Sequence, residues 1–391
     1  MEPHADLSYV RPLHRLCNIL AILPPHELGN RPTPVSFAFK FYTCVHIFIV
    51  LAIYAYSSYG REKYVYASLD ITVVITDKLA NLTFTLLNVL LRVFFTFRSS
   101  NAFKTFLNSS YHISRKREFN CLTRARFNTH FVIFNLYMAA ILIFDAYVWI
   151  TSLGLNVFQF YVGRSIMFYV CNTTVFWMVQ SALLIKHLFT SLNSLLEITL
   201  KNFCVSEYIA ELRNRTNYRC SDLKQVRRYH NNICDLVDDF NRIYGIIVLA
   251  VTVCTICYVL NLTDILLVYA SDSAKDIQGS RYGCELSIVC LSWIATLLIF
   301  AVLLAHSCAN AVCESNKITG ICFTWLGEIP TIPVSNKDQI VKEEILLLVQ
   351  QADSRRPKFS AAGFFVVDFT LLGFILGTVT SYIIVSVQFI Q

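Results

Sequence analysis

Apolar residues come in seven long runs separated by polar connections, at 35–59, 67–97, 127–154, 161–188, 243–271, 284–313 and 361–391. Each approaches or exceeds the roughly 20 residues a helix needs to cross a bilayer, where every backbone amide must find its partner within the helix. The second run is the most interrupted, by Asp70, Asp77 and Lys78. The pattern predicts an all-α membrane protein of seven transmembrane helices. All nine prolines fall outside the runs, so the spans should lack proline kinks. Periodic stretches at 191–208 and 335–351 predict helices that continue below the membrane into a cytoplasmic anchor bundle.

Composition agrees. Only 15% of the 391 residues are charged against 55% hydrophobic, and the mean hydropathy is +0.52, too little charge to solvate a globular surface of this size. The formal charge of +7 does not indicate nucleic acid, because the basic residues gather in alternate connections. The amino-terminal segment and the connections 98–126, 189–242 and 314–360 hold 24 of the 33 Lys and Arg. By the positive-inside rule these lie in the cytoplasm, with the amino terminus inside and the carboxy terminus outside. The apolar stretch 16–23 is short and stops at Pro24 and Pro25, so the first full span is expected to serve as the insertion signal. The organisation predicted is a cytoplasmic segment 1–34, a six-helix ligand-binding bundle 35–313 with cytoplasmic extensions, an anchor connection 314–360 and a seventh helix 361–391. The 14 Cys sit mostly in spans or cytoplasmic connections, with Cys284 near an outer loop, so no extracellular disulfide framework is expected.

Ionisable and amide groups inside spans are costly and default to a functional hypothesis. Asp77, Asn81, Thr85 and Asn88 share one helical face, either a stripe facing ligand or water or a seam bonded to neighbouring helices. Asp145 and Trp149 lie one turn apart near the outer end of the third span, and Asn261 and Asp264 near that of the fifth. With Tyr161, Tyr169 and Trp293 they make a candidate outward-opening site for a small organic molecule, although for any one of them alone an interfacial aromatic or a helix–helix bond is the better reading. Asp235, Asp238 and Asp239 resemble half of a diphosphate–magnesium site, but no second acidic cluster faces them and Arg227, Arg228 and Arg242 can pair with them. Cys254 and Cys257 form a lone pair at CxxC spacing in an apolar helix, where packing is the better reading. No metal site, cofactor or catalytic constellation is expected, and no Walker A loop, G-x-S-x-G elbow or H-E-x-x-H occurs.

The final segment carries the most specific signal. Ala361-Ala362-Gly363-Phe364-Phe365, then Asp368, Leu371-Leu372 and Ser381-Tyr382-Ile383-Ile384-Val385-Ser386-Val387-Gln388-Phe389 resembles the closing region of insect gustatory receptors, whose hallmark is Thr-Tyr, five mostly apolar residues and Gln-Phe. Ser381 replaces the usual Thr and keeps the hydroxyl. The resemblance implies a subunit of a homotetrameric or heterotetrameric ligand-gated cation channel, associated with other gustatory receptor subunits in the plasma membrane of gustatory neuron dendrites. It further implies that the last helix lines the pore, and Ser381, Ile384, Val385 and Gln388 share a face suited to that, with Phe389 beside them and Tyr382 turned towards neighbours. Gly363 to Leu372 would form the cytoplasmic start of that helix. Sugar-tuned members often have an acidic residue after the motif Tyr, whereas this chain has Ile383, which favours bitter or other aversive tastants.

An insect odorant receptor is the nearest alternative. A G-protein-coupled receptor would require the opposite orientation and the D-R-Y and N-P-x-x-Y motifs, all lacking here. A secondary transporter would require internal repeats and broken helices, and neither is seen.

Overall fold

The computed structural model describes residues 11–25, 34–115, 121–205, 216–270, 280–328 and 336–390. These residues form a helical bundle. A short α1 (Arg11–Ile19) precedes α2 (Phe37–Tyr64), a 3₁₀ turn (Tyr66–Ser68) and α3 (Ile71–Val93), which ends in a π-turn (Phe94–Arg98). Then follow α4 (Ser100–Arg115), α5 (Cys121–Leu153), α6 (Leu155–Phe158), α7 (Val162–Val205), α8 (Thr216–Ala270), α9 (Ser280–Glu328) and α10 (Asn336–Ser354). A hairpin of β1 (Ser360–Ala361) and β2 (Phe365–Val366) leads into α11 (Thr370–Ile390).

Among the described residues six helices, α2, α3, α5, α7, α8 and α9, are long and apolar enough to cross a membrane, and the apolar stretch of α11, Thr370–Val385, is shorter. Each of the seven predicted runs therefore contains a helix, the seventh only from Thr370. Ordinary capping chemistry sets the starts of two of them: Ser36 accepts from the Phe39 amide at the head of α2, and Asp70 from the Thr72 amide at the head of α3.

The 55 residues of α8 extend for roughly 80 Å, far beyond a hydrocarbon core of about 30 Å. Its first half therefore projects past the membrane, as do the far ends of α7 and α9, and α10 packs against α8 and α9 to form a base. The periodic stretches at 191–208 and 335–351 are helical over 191–205 and 336–351, and their remaining positions lie outside the described residues. Within the bundle α7 runs along α9 and α3 along α8, burying Phe84, Phe168, Tyr258 and Trp293 as one aromatic stack. α1 is tied beneath the bundle by its apolar side, Leu13 and Cys17, and by its last carbonyls. Tyr42 donates to the Ile19 carbonyl at 2.7 Å and Arg92 to that of Leu20 at 3.2 Å.

The seventh helix starts later than its apolar run suggests. Residues 361–369 do not open the helix; they close a hairpin, with Val367 N–H donating to the Phe359 carbonyl at 2.8 Å. Ala362 and Gly363 both adopt positive φ, 52° and 83°, which a helix cannot accommodate. Asp368 then accepts from the Thr370 amide at 2.8 Å and from its hydroxyl at 2.6 Å, and the helix begins there. Phe365 sits in β2 and Phe364 is exposed at the turn, so Gly363, Phe364, Phe365 and Asp368 are turn and cap residues rather than helical ones.

Candidate functional site

Three nodes of buried polar residues lie at the bundle end where α3 begins. The first surrounds Asp77. Arg61 of α2 donates to its Oδ2 at 2.9 Å, Arg164 of α7 to its Oδ1 at 3.2 Å, and Tyr66 to Oδ2 at 2.8 Å. Both arginines also lie against the Tyr161 ring, at 4.1 and 4.9 Å from its centroid, and Trp149 stacks on that ring at 4.9 Å. Arg61 donates further to the Phe160 carbonyl, which Ser57 Oγ also reaches at 2.7 Å. An isolated charge here would be prohibitively desolvated; two guanidiniums, a hydroxyl and aromatic faces make the ion pair tolerable.

Asp145 of α5 anchors the second node. Its Oδ1 accepts from the indole nitrogens of Trp149 and Trp293, each at 3.0 Å, and its Oδ2 from Ser165 at 3.2 Å. Asp145, Trp149, Tyr161, Asp77 and Trp293 are thus brought into one continuous network linking α3, α5, α7 and α9. Tyr169 stands apart on the α5 side of α7, where its hydroxyl donates to Asn135 at 2.7 Å.

At the third node α8 meets α3 and α11. The motif residue Tyr382 donates to Asp264 Oδ2 at 2.8 Å, and Asn261 Nδ2 reaches Thr76 Oγ1 at 3.5 Å. Asp264 and Asn261 are both buried.

The remaining stripe on α3 is bonded both within the helix and to its neighbours. Asn81 reaches Ser58 Oγ at 3.5 Å, Thr85 donates to the Asn81 carbonyl at 2.8 Å, and Asn88 Nδ2 donates to the Phe84 carbonyl at 2.9 Å. Thr85 also reaches Met167 Sδ of α7 at 3.7 Å, and Asn88 Nδ2 the Met167 carbonyl at 3.5 Å.

Two central members were not singled out in the sequence: Arg61, which falls just past the first run, and Arg164, which lies inside the fourth. The latter carried a usable signal, since an arginine within a span demands an acidic partner. At the base, Arg355 pairs with Asp235 and with Asp238 at 3.1 Å, and Arg242 with Asp239 at 2.7 Å, so the acidic run of α8 is engaged by arginines. These bonds, that to Asp235 first, hold the Arg355 guanidinium above its ordinary pKa. Cys254 is buried and free, as packing requires. Among the described residues no group of three or more His, Cys, Asp or Glu is placed to hold a metal ion.

On α11, Leu371, Ile375 and Val379 pack inward while Ser381, Ile384, Val385 and Gln388 are exposed on the subunit. The Phe389 side chain lies outside the described residues.

A family model described as the 7tm chemosensory receptor matches residues 10–391. The chain belongs to that family. A solved structure of the insect olfactory receptor OR5 from Machilis hrabei shares its fold, with a TM-score of 0.61, 14% sequence identity, and coverage of 97% of this chain and 98% of that one. No curated protein sequence matches. The chain is therefore a multi-pass chemosensory receptor with the insect chemoreceptor fold, and its family is one of receptors rather than enzymes.

Proposed function

We propose that this chemosensory receptor is a subunit of a ligand-gated, non-selective cation channel of the gustatory type, tuned to small organic tastants of the bitter or aversive kind. The observation that carries the reading is the two-sidedness of α11. One side is fixed to the bundle through Leu371, Ile375, Val379 and the Tyr382–Asp264 bond, while Ser381 and Gln388 are left exposed on the other. A polar amide exposed at membrane depth is costly against lipid, so it belongs beside water or a partner subunit. Four copies, in a homotetramer or with other gustatory subunits, would surround a pore with apolar rings at Ile384 and Val385 and an amide ring at Gln388. The base, with α10 and the hairpin, lies in the cytoplasm, and the receptor sits in the plasma membrane of gustatory neuron dendrites.

Ligand enters the outer half of the bundle near Asp77, Asn81, Asp145, Trp149, Tyr161, Tyr169, Asn261, Asp264 and Trp293. It binds the open state better and so shifts the closed–open equilibrium. The fold neighbour's being an olfactory receptor supports the second reading, an odorant receptor-type subunit; the Tyr382 to Gln388-Phe389 signature favours the gustatory one.

Patch-clamp recording of Gln388→Ala tests the proposal. Conductance or gating should change while surface assembly stays intact, and unchanged currents would remove Gln388 from the pore.

A further inference from the structure

Three aspartates are buried among the described residues of the bundle, and their surroundings differ in kind. Asp77 has two arginines, and Asp145 has two indoles, a serine and Arg164 within electrostatic reach. Asp264 faces the hydroxyls of Tyr382 and Thr76, and the charge that bears on it is another carboxylate, Asp70, exposed at the head of α3. No cationic side chain among the described residues pairs with it. One turn away on the same face of α8, Asn261 is fully buried, and its carbonyl oxygen Oδ1 has no hydrogen-bond partner. The carboxylate is met by hydroxyl donors but by no cation, and the amide oxygen one turn away is met by no donor. A buried acceptor left unmet and a buried charge left unbalanced are both costly, which makes the pair a place suited to N–H groups that carry positive charge.

We infer that Asn261 and Asp264 form the recognition point for a protonated amine, so that the ligand class of this receptor is an organic ammonium with an apolar body. A primary ammonium offers three donors, enough for Asp264 Oδ1, Asn261 Oδ1 and a third partner. A neutral hydroxyl would meet an acceptor but leave the charge unbalanced. Asp264 lies six residues before the end of α8, roughly 9 Å along the helix, and the exposed Asp70 draws cations towards that end. Because the same carboxylate holds Tyr382 of α11, amine binding acts on the seventh helix at its point of attachment. The inference rests on the ligand-gated reading for its consequence but not for the binding itself.

The test uses the full-length receptor purified into lipid nanodiscs. Thermal unfolding is followed with a graded panel of arylalkylamines, such as 2-phenylethylamine, each set against its carbon isostere, propylbenzene in that case. Amines should raise the midpoint and isosteres should not. Asp264→Asn, which keeps an acceptor for Tyr382, should abolish the preference, and Asn261→Leu should weaken it roughly tenfold. Asp70→Asn should weaken it a few-fold, and less at high salt.

Equal stabilisation by amines and isosteres, no stabilisation by any amine, or a preference surviving in Asp264→Asn would overturn the inference. So would Asp264-dependent stabilisation by sodium over N-methylglucamine without an amine effect, which would assign the site to an inorganic cation. Amine binding without ligand-evoked current would instead remove the channel reading, whereas currents evoked by other compounds with no amine preference would remove this inference alone.

Discussion

Asp77 was visible in the sequence as a carboxylate inside a span, but its role depends on residues 16 and 87 positions away that only the packed bundle brings together. Removing it leaves Arg61 and Arg164 buried without a counter-charge. Asp77→Ala should therefore destabilise the receptor by about 3–5 kcal/mol, seen as a lower unfolding midpoint and reduced surface expression. Arg164→Met should cost less, because Arg61 and Tyr66 still satisfy the carboxylate; a loss equal to that of Asp77→Ala would show that Arg61 alone cannot hold the charge. The indole pair on Asp145 was legible only in half. Trp149 follows Asp145 by one helical turn and could be paired with it from spacing alone, whereas Trp293 comes from 148 positions away. Local periodicity reports which residues share a face. It carries no information on which distant face that one meets.

The helices were readable as elements because bilayer thickness and backbone satisfaction impose a minimum apolar length that few other structures require. The start of α11 was not, because Ala-Ala-Gly-Phe-Phe-Val-Val is as apolar as a span, and hydropathy does not distinguish a hairpin from a helical turn. Two signals were present, Gly363 and an Asp two positions before Thr370, and both act through backbone geometry rather than burial. The hairpin is held against α8 at a glycine. A Cβ on Gly245 would sit 2.8 Å from the Ala362 amide nitrogen and 3.1 Å from the Ser360 carbonyl oxygen, both backbone atoms with little freedom to move. Asn241 completes the clasp, donating to the Lys358 carbonyl at 2.6 Å and accepting from the Ser360 amide at 2.8 Å. Gly245→Ala should consequently cost about 1–3 kcal/mol and displace the hairpin, whereas Gly363→Ala, with open space around it, should cost only the strain of its φ, about 1–2 kcal/mol. Protease accessibility of the 354–370 segment separates the two: cutting should increase in Gly245→Ala and stay close to wild type in Gly363→Ala.

At the scale of the whole receptor, a bound ligand must change the state of a helix that packs on the outside of its bundle. Among the described residues α11 packs chiefly against α8 and then α9, so α8, which carries Asn261 and Asp264, is the direct route from the polar nodes to the seventh helix. The Tyr382–Asp264 bond crosses that contact, and a hydrogen bond to a charged group contributes about 1.5–3 kcal/mol. If the bond is stronger in one gating state than the other, removing the Tyr382 hydroxyl must shift the closed–open equilibrium, and removing the carboxylate must shift it through the same interaction. A double-mutant cycle on agonist half-maximal concentration and basal current, with Tyr382→Phe, Asp264→Ala and both together, isolates that shared part. The double variant should resemble the stronger single one, with a coupling above about 1 kcal/mol, a roughly fivefold departure from additivity. Effects that add to within about 0.5 kcal/mol would mean that the bond only positions α11, and that gating reaches the pore through the apolar contacts of Leu371, Ile375 and Val379 instead.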